Sequence, residues 1–502
     1  MLVKEKESTF LRGSQTAMPI DRSDRGAFSL TRMQRVGLIC GLLGLIAFGA
    51  IVELRGAFQN SRKTDAGVFF RAGWAVRADK EIYEVSDNNG WHFVYPPVLA
   101  ILMAPLSDPP KGEDRSGSLP YAVSLAIWYV VSCLFWFLGA HLLAEAWENT
   151  THDERLRSQP RYCRRWWAMR IWPSLICLLP IGHNLSRGQL GTLMLLLLAL
   201  TARALLRRKP FQAGMWVAGA MALKVIPAFL LLLPLVRRRW NMLAGCAVGL
   251  LLTLLVLPLA TIGPHRTMDS YHDLLNQVLM PGILSDYQSS RGPELTGIRA
   301  TSNCSPLAVF HNLLHPDSHT RPEFVSPLTR LAHGVTILVL TMLTIFPLWL
   351  RRKQPVGGRL ADSGNPCAIP YACQLGNDSP DSAFLRQTDN AARIDVLLLA
   401  SLSVLMNMAS PVYHPHYFSQ CVVPVTILLA LQFERNYYPR VEKSFVVVSA
   451  GSILGYAIWL ATEGYSVRDY GWVLASSLIL WAVCARETKW AMDRSMNLHE
   501  QR

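Results

Sequence analysis

Long apolar runs separated by basic clusters constrain this chain more than any other feature. The runs are roughly 12 to 28 residues long, and about 20 apolar residues suffice to cross a bilayer as a helix. A soluble helix needs polar residues every three or four positions on its wet face. The stretch Leu193-Met194-Leu195-Leu196-Leu197-Leu198-Ala199-Leu200 has none. The pattern therefore predicts an all-α polytopic membrane protein. A composition that is 51% hydrophobic over 502 residues supplies enough apolar sequence for many crossings.

The net charge of +14 would suggest nucleic acid in a soluble protein. Here the Arg clusters sit at the ends of apolar runs, where they read as cytoplasmic anchors. No basic patch interleaved with aromatics argues for nucleic-acid binding. The ten Cys are scattered, without a CxxC pair. Cys40, Cys133, Cys246 and Cys484 fall in apolar runs and read as buried small hydrophobes. Cys367 and Cys373 lack further ligands that would complete a metal site. No metal and no cofactor is expected. The polar N-terminal tail, residues 1–35, precedes a run without an Ala-x-Ala-like cleavage site, which reads as an uncleaved signal anchor.

Basic clusters set the expected topology. Span 1 covers about Val36 to Leu54, and the external loop 55–118 follows. Phe93 to Ser107 is short for a span and suits a re-entrant or interfacial helix. Span 2 runs from about Leu119 to Ala144. The cluster Arg155, Arg157, Arg161, Arg164, Arg165 and Arg170 is inside. Ile171 to Arg207 must leave and return, turning near Gly182 to Gly191. Phe211 to Val236, between two basic clusters, should be a hairpin or a broken pair with its tip near Lys224 and a natural break at Pro227. Span 7 covers about Asn241 to Ile262, and a long external loop occupies 263–326. Span 8 runs from Leu328 to Leu350. Residues 351–393 read as a disordered cytoplasmic loop. The C-terminal module, 394–486, holds spans at Ile394 to Ala409, Tyr417 to Phe433, Phe445 to Ala461 and Tyr470 to Ala485. A tail, 487–502, follows. About twelve crossings result, with membrane lipids as neighbours.

Under this topology the polar residues at the membrane edge gather on the outer side: Asp65, Arg71, His183, Asn184, Arg187, Gln189, Lys224, His414 and His416. Ionisable groups facing a cavity at membrane depth are functional candidates. A carboxylate can act as a general base, cations can hold a phosphate, and His can hydrogen-bond or shuttle protons. No P-loop, zinc spacing or Asp-x-Asp pair is present. Structural alternatives stand beside these roles. Thr64 or Asp65 can cap the helix that follows. Arg71, Arg77 and Lys224 can snorkel to headgroups. His183, His414 and His416 can be ordinary interfacial or turn residues. Trp and Tyr at span ends can be interface anchors.

Asp65 with Phe69-Phe70-Arg71-Ala72, Ile82-Tyr83, Tyr95-Pro96-Pro97 and Ala104-Pro105-Leu106 resembles glycosyltransferase family 87. So do Arg187-Gly188-Gln189, Leu223-Lys224-Val225-Ile226-Pro227, Asn303-Cys304-Ser305 and Ser410-Pro411. The resemblance covers roughly Asp65 to Pro424 and rests on the order of the motifs. It implies a GT-C-type multi-span bundle, with residues 36–350 as the catalytic module and juxtamembrane helices in the first external loop. It implies inverting transfer of a hexose, mannose in the first instance, from a polyprenyl-phosphate donor to a lipid or glycan acceptor. The site would face the external side of the cytoplasmic membrane. By the same resemblance Asp65 is the base, and Lys224, Arg187, His414 and His416 lie at the donor phosphate. Arg71, Tyr95, Gln189 and Asn303 lie at the substrates. Two departures stand out. The family often has Asn-Gln-Ser where this chain has Asn303-Cys304-Ser305, and a Trp after Ser-Pro where it has Val412-Tyr413-His414. Some relatives move arabinofuranose.

A rival reading is a transporter or flippase of lipid-linked sugars without chemistry. That would place ionisable groups near mid-bilayer, often with repeat symmetry. A scaffold subunit would tolerate loss of Asp65.

Overall fold

The computed structural model describes residues 31–58, 64–151, 154–284, 295, 297–298, 302–317, 319–352, 380–434, 441–462 and 466–500. Residues 1–30 of the expected tail, residues 353–379 of the expected cytoplasmic loop, and with them Cys367 and Cys373, lie outside these. Among the described residues the fold is all-helical, and the β-structure is one isolated bridge between Ser86 and His92.

Among the described residues five helices are long and apolar enough to cross a membrane: Tyr121–Thr150, Trp240–Ile262, Pro327–Leu348, Asn390–Ala409 and Pro415–Phe433. Other apolar runs form shorter helices, among them Gly191–Leu206, Ile226–Arg237 and Phe445–Ala461. The apolar core of Asn390–Ala409 is 94% buried, whereas that of Pro327–Leu348 is 17% buried. The first is the centre of the bundle. The second presents its Leu, Val and Met side chains outward, as a lipid-facing helix does.

Where the chain breaks its helices decides where polar groups collect. Gly188 ends Leu178–Arg187 in the left-handed region, with φ +65°. Lys224 ends Pro210–Leu223 in extended backbone, φ −153° and ψ 132°, just before Pro227. The Pro380–Ala409 helix stops at Ser410, and the chain turns through His414 into Pro415–Cys421. All three turns lie at one end of the bundle. Gly191–Leu206, 16 residues long and so about 24 Å, leads away to the other end. There Arg237 and Arg239 flank Asp395 at 2.5 and 2.6 Å, and Arg393 meets Glu434 at 2.6 Å. Arg170 pairs with Glu148 at 2.8 Å. Arg170, Arg237 and Arg239, from clusters expected as plain anchors, also tie helix ends together.

The helix Ala66–Arg77, in the first external loop, is buried from Ala66 through Ala75. The short Pro97–Met103 helix covers it at Gly73, where a Cβ would sit 2.5 Å from the Met103 carbonyl oxygen. The loop 263–326 contains helices, Pro264–Asp273 continuing through Leu274–Leu279 to Met280–Leu284, and later Pro306–Leu314. Pro264 occupies a first-turn position suited to proline. The last helix, Trp472–Glu500, runs on through the expected tail.

Candidate active site

Asp65 sits at the start of the buried Ala66–Arg77 helix but does not cap it, since its side chain bonds no helix N–H. The Thr64 hydroxyl is also engaged elsewhere, 2.6 Å from the Tyr121 hydroxyl. The Asp65 backbone N–H donates to the Arg187 carbonyl at 2.9 Å, joining the helix start to the Arg187-Gly188-Gln189 turn. Its carboxylate accepts a hydrogen bond from the Gln189 amide and lies 3.5 Å from Arg187 Nε. Asp65 is 9% exposed.

The turn opposite is built to present these groups. Asn184 holds it from within: its amide donates to the Gln189 carbonyl and its oxygen accepts from the Gly191 N–H. The Trp128 indole donates to the Gly188 carbonyl at 2.8 Å. The Tyr95 side chain stands beside Gln189. Tyr95 packs edge-on against Phe69, 5.3 Å between centroids. Tyr95, Gln189 and Asp65 thus form one polar line across two loops.

Lys224 comes in from the broken helix. Its Nζ lies 3.4 Å from the centroid of the Tyr417 ring, a cation–π contact. Tyr417 in turn packs against His416 and His414, at 4.7 and 6.2 Å. His414 and His416 stack at 5.5 Å, and His183 lies 5.7 Å from His416. His414 Nδ1 is 3.1 Å from the Ser302 carbonyl oxygen. His416 is 3% exposed, and its Nδ1 has no hydrogen-bond partner among the described residues.

Charge balance follows from this packing. Burial raises the Asp65 pKa above the usual carboxylate value, with a smaller push from Asp87. Arg187, the Gln189 hydrogen bond and Lys224 act against that rise. The opposite holds for His414, in the turn: burial, with Arg187 and Lys224 nearby, lowers it to about 4. It is neutral near pH 7, able to hydrogen-bond but adding no fixed charge.

Nine of the sequence-predicted residues therefore meet: Asp65, Tyr95, His183, Asn184, Arg187, Gln189, Lys224, His414 and His416. Arg71, Arg77 and Asn303 have other partners. Arg71 is buried, and its guanidinium donates to the carbonyls of Asp108 and Ser86 and to Asn88 Oδ1, at 2.9, 3.0 and 3.2 Å. Arg77 likewise donates to Ser107 and Gly117 instead of snorkelling. Asn303 is a clasp: its amide donates to the Pro411 carbonyl, and its oxygen accepts from the Ser305 and Tyr413 N–H groups. It fixes the Ser410-to-His414 turn. Sequence reasoning missed Trp91 and Arg468. The Trp91 ring centroid lies 5.6 Å from the Arg187 guanidinium carbon. Arg468 lies over Trp459 at 3.8 Å and is close enough to act electrostatically on His183. Neither belongs to a motif, and both come from short connections.

The sequence profile of glycosyltransferase family 87 matches residues 93–364, more than half of the chain. The chain belongs to glycosyltransferase family 87. The family 87 match contains Tyr95, Arg187, Gln189, Lys224 and Asn303. Asp65 and Arg71 precede it, and His414 and His416 follow it. A curated protein of Mycolicibacterium smegmatis is 30% identical over 171 residues, 33% of this chain and 35% of that protein. It is named polyprenol-phosphate-mannose-dependent alpha-(1-2)-phosphatidylinositol mannoside mannosyltransferase. A protein of the same name from Mycobacterium tuberculosis is 29% identical over 148 residues, 29% of this chain and 32% of that protein. The matched stretch spans about a third of the length of these two relatives.

Proposed function

We propose that this protein is a membrane-embedded glycosyltransferase that moves a hexose, mannose in the first instance, from a polyprenyl-phosphate donor to an acceptor hydroxyl. The observation that carries this reading is the buried Asp65 carboxylate, held by Gln189 and Arg187 with Lys224 nearby, in a family 87 chain. The acceptor is a lipid or glycan, and the reaction takes place at the external face of the cytoplasmic membrane. The acceptor oxygen attacks the anomeric carbon, and the bond from that carbon to the phosphate oxygen breaks. The configuration inverts, Asp65 takes the acceptor proton, and polyprenyl phosphate leaves with the electron pair. A base whose pKa is raised towards the working pH suits this task.

Arg187 and Lys224 stabilise the charge that grows on the departing phosphate, and His414 and His416 hydrogen-bond it. A donor phosphate that draws Arg187 towards itself weakens the pair with Asp65. Arg187 is the largest of the influences lowering the Asp65 pKa. Donor binding then makes Asp65 the stronger base. The collection of ionisable groups at one end of the bundle supports a transferase over a carrier with groups at mid-membrane.

The test is transfer of labelled mannose from polyprenyl-phosphate-mannose by wild type and Asp65→Asn at matched protein levels. Asp65→Asn should lower transfer at least ~100-fold, the scale of a lost general base. Equal rates would remove Asp65 as the base. Translocation of the sugar-lipid without transfer would replace the transferase with a carrier.

A further inference from the structure

The hairpin from Ser86 to His92 has no role in the chemistry above, yet it is built with care and stands beside Asp65. The Asp87 N–H donates to the Trp91 carbonyl at 2.9 Å, and the Trp91 N–H returns a bond to Asp87 Oδ1 at 3.0 Å. Asn89 gives both its backbone N–H and its amide to the same carboxylate, at 2.7 and 2.8 Å. From below, buried Arg71 grips Ser86 and Asn88. A Cβ on Gly67, in the first turn after Asp65, would lie 3.4 Å from Asp87 Oδ2. These bonds fix the backbone from which the Trp91 indole projects.

Trp91 is 37% exposed, although the Ala66–Ala75 helix beneath the hairpin is buried. Its ring stands over the Arg187 guanidinium, which pairs with Asp65. An indole that only anchors the chain at a membrane interface has headgroups and lipid beside it. This one has the cation paired with the base. The apolar C–H face of a pyranose packs on an open aromatic ring by dispersion and apolar burial, leaving its hydroxyls at the rim for water and charged groups.

We propose that Trp91 is the platform for a pyranose ring of the acceptor, so that the protein extends a glycan and does not glycosylate a bare lipid alcohol. Arg71 is the positioning residue that holds the platform. The proposal rests on the reading of the site as a sugar transferase. The donor sugar is the other source of a pyranose. Its phosphate is served by Arg187, Lys224 and the His cluster; Trp91 meets that set at Arg187 alone and is itself 37% exposed, on the side from which an acceptor can approach.

The experiment uses the full chain in lipid nanodiscs with two measurements. Saturation-transfer NMR with methyl α-mannobioside should show saturation of the sugar ring protons in wild type and its loss in Trp91→Ala. Steady-state transfer from polyprenyl-phosphate-mannose to octyl α-mannoside should show the KM for the acceptor raised about tenfold in Trp91→Ala. Trp91→Phe should restore it to within about threefold, since a phenyl ring keeps an aromatic face. The KM for the donor should stay where it was. A rise in donor KM instead would give the platform to the donor sugar. A fall in kcat with both KM values unmoved would make Trp91 structural. Absence of ring-proton saturation in wild type would overturn the platform whatever the transfer assay shows. Binding that depends on Trp91, with no transfer by wild type from any polyprenyl-phosphate sugar, would count against the transferase reading and leave the platform standing.

Discussion

Asp65 is held between opposing influences. Burial favours its neutral form, and Arg187 and Gln189 favour the charged one, with burial the largest. In the role proposed for it Asp65 works only when deprotonated, so kcat/KM should rise with pH along an acid limb set by this group, above the ordinary carboxylate range. The sign of one perturbation follows directly. Gln189→Leu removes a hydrogen bond to the charged form, so the proton is held more tightly and the limb moves to higher pH. Rates on the alkaline plateau should suffer less than rates on the limb. A pH profile of both proteins reads this out. A limb that stays put, or moves to lower pH, would show that the titrating group is not the carboxylate Gln189 touches.

At the scale of elements, the site depends on one turn. Gly188 has φ +65°, and a Cβ there would lie 2.7 Å from the Ala66 Cβ, on the helix that starts with Asp65. Gly188→Ala therefore pays twice, in left-handed backbone and in a clash. The backbone part costs about 1–2 kcal/mol. The clash pushes Gln189 and Arg187 away from Asp65, and a misplacement of ~1 Å can cost about 100-fold in rate. Transfer should fall by about that factor while thermal unfolding shifts by only a few degrees. Activity near wild type would mean the turn has slack. Some of this element structure was legible in the sequence. The break at Lys224 was, because Pro227 cannot continue a helix. So was the gathering of Asp65, Arg187, Gln189, Lys224, His414 and His416, because basic clusters sorted the turns to one side. The roles of Arg71 and Asn303 were not. Arg71 finds its partners 15 to 37 residues away, and Asn303 reaches 108 to 110 residues to Pro411 and Tyr413. No local period or motif records such pairings. Trp91 escaped for the same reason, since its meaning comes from what lies under its ring. The helices of 264–284 were hidden by a His-, Pro- and Gly-containing stretch whose proline opens a helix instead of breaking one.

For the whole molecule, the candidate site and a buried charged knot sit at opposite ends. Glu434 is the centre of a buried knot: Arg393 donates to both carboxylate oxygens at 2.6 and 3.0 Å, Thr151 at 2.7 Å and the Trp147 indole at 3.3 Å. Arg393 also donates to the Thr150 carbonyl. The knot ties the ends of Tyr121–Thr150, Asn390–Ala409 and Pro415–Phe433. Both charges are almost wholly buried, at 3% and 4% side-chain exposure. Glu434→Ala strands the Arg393 guanidinium without its carboxylate, which costs about 3–5 kcal/mol. Glu434→Gln keeps hydrogen-bonding atoms and should cost less. The Pro415–Phe433 helix, 19 residues and so about 30 Å long, separates this knot from His414 and Lys224. Detergent-solubilised Glu434→Ala should therefore unfold several degrees below wild type. The molecules that remain folded should keep donor and acceptor KM within about threefold, because the site at the far end does not share these bonds. If their transfer rate instead falls as far as that of Asp65→Asn, the two ends are coupled through the central helices, and the bundle is a single transmitting unit and not a rigid scaffold with its site at one rim.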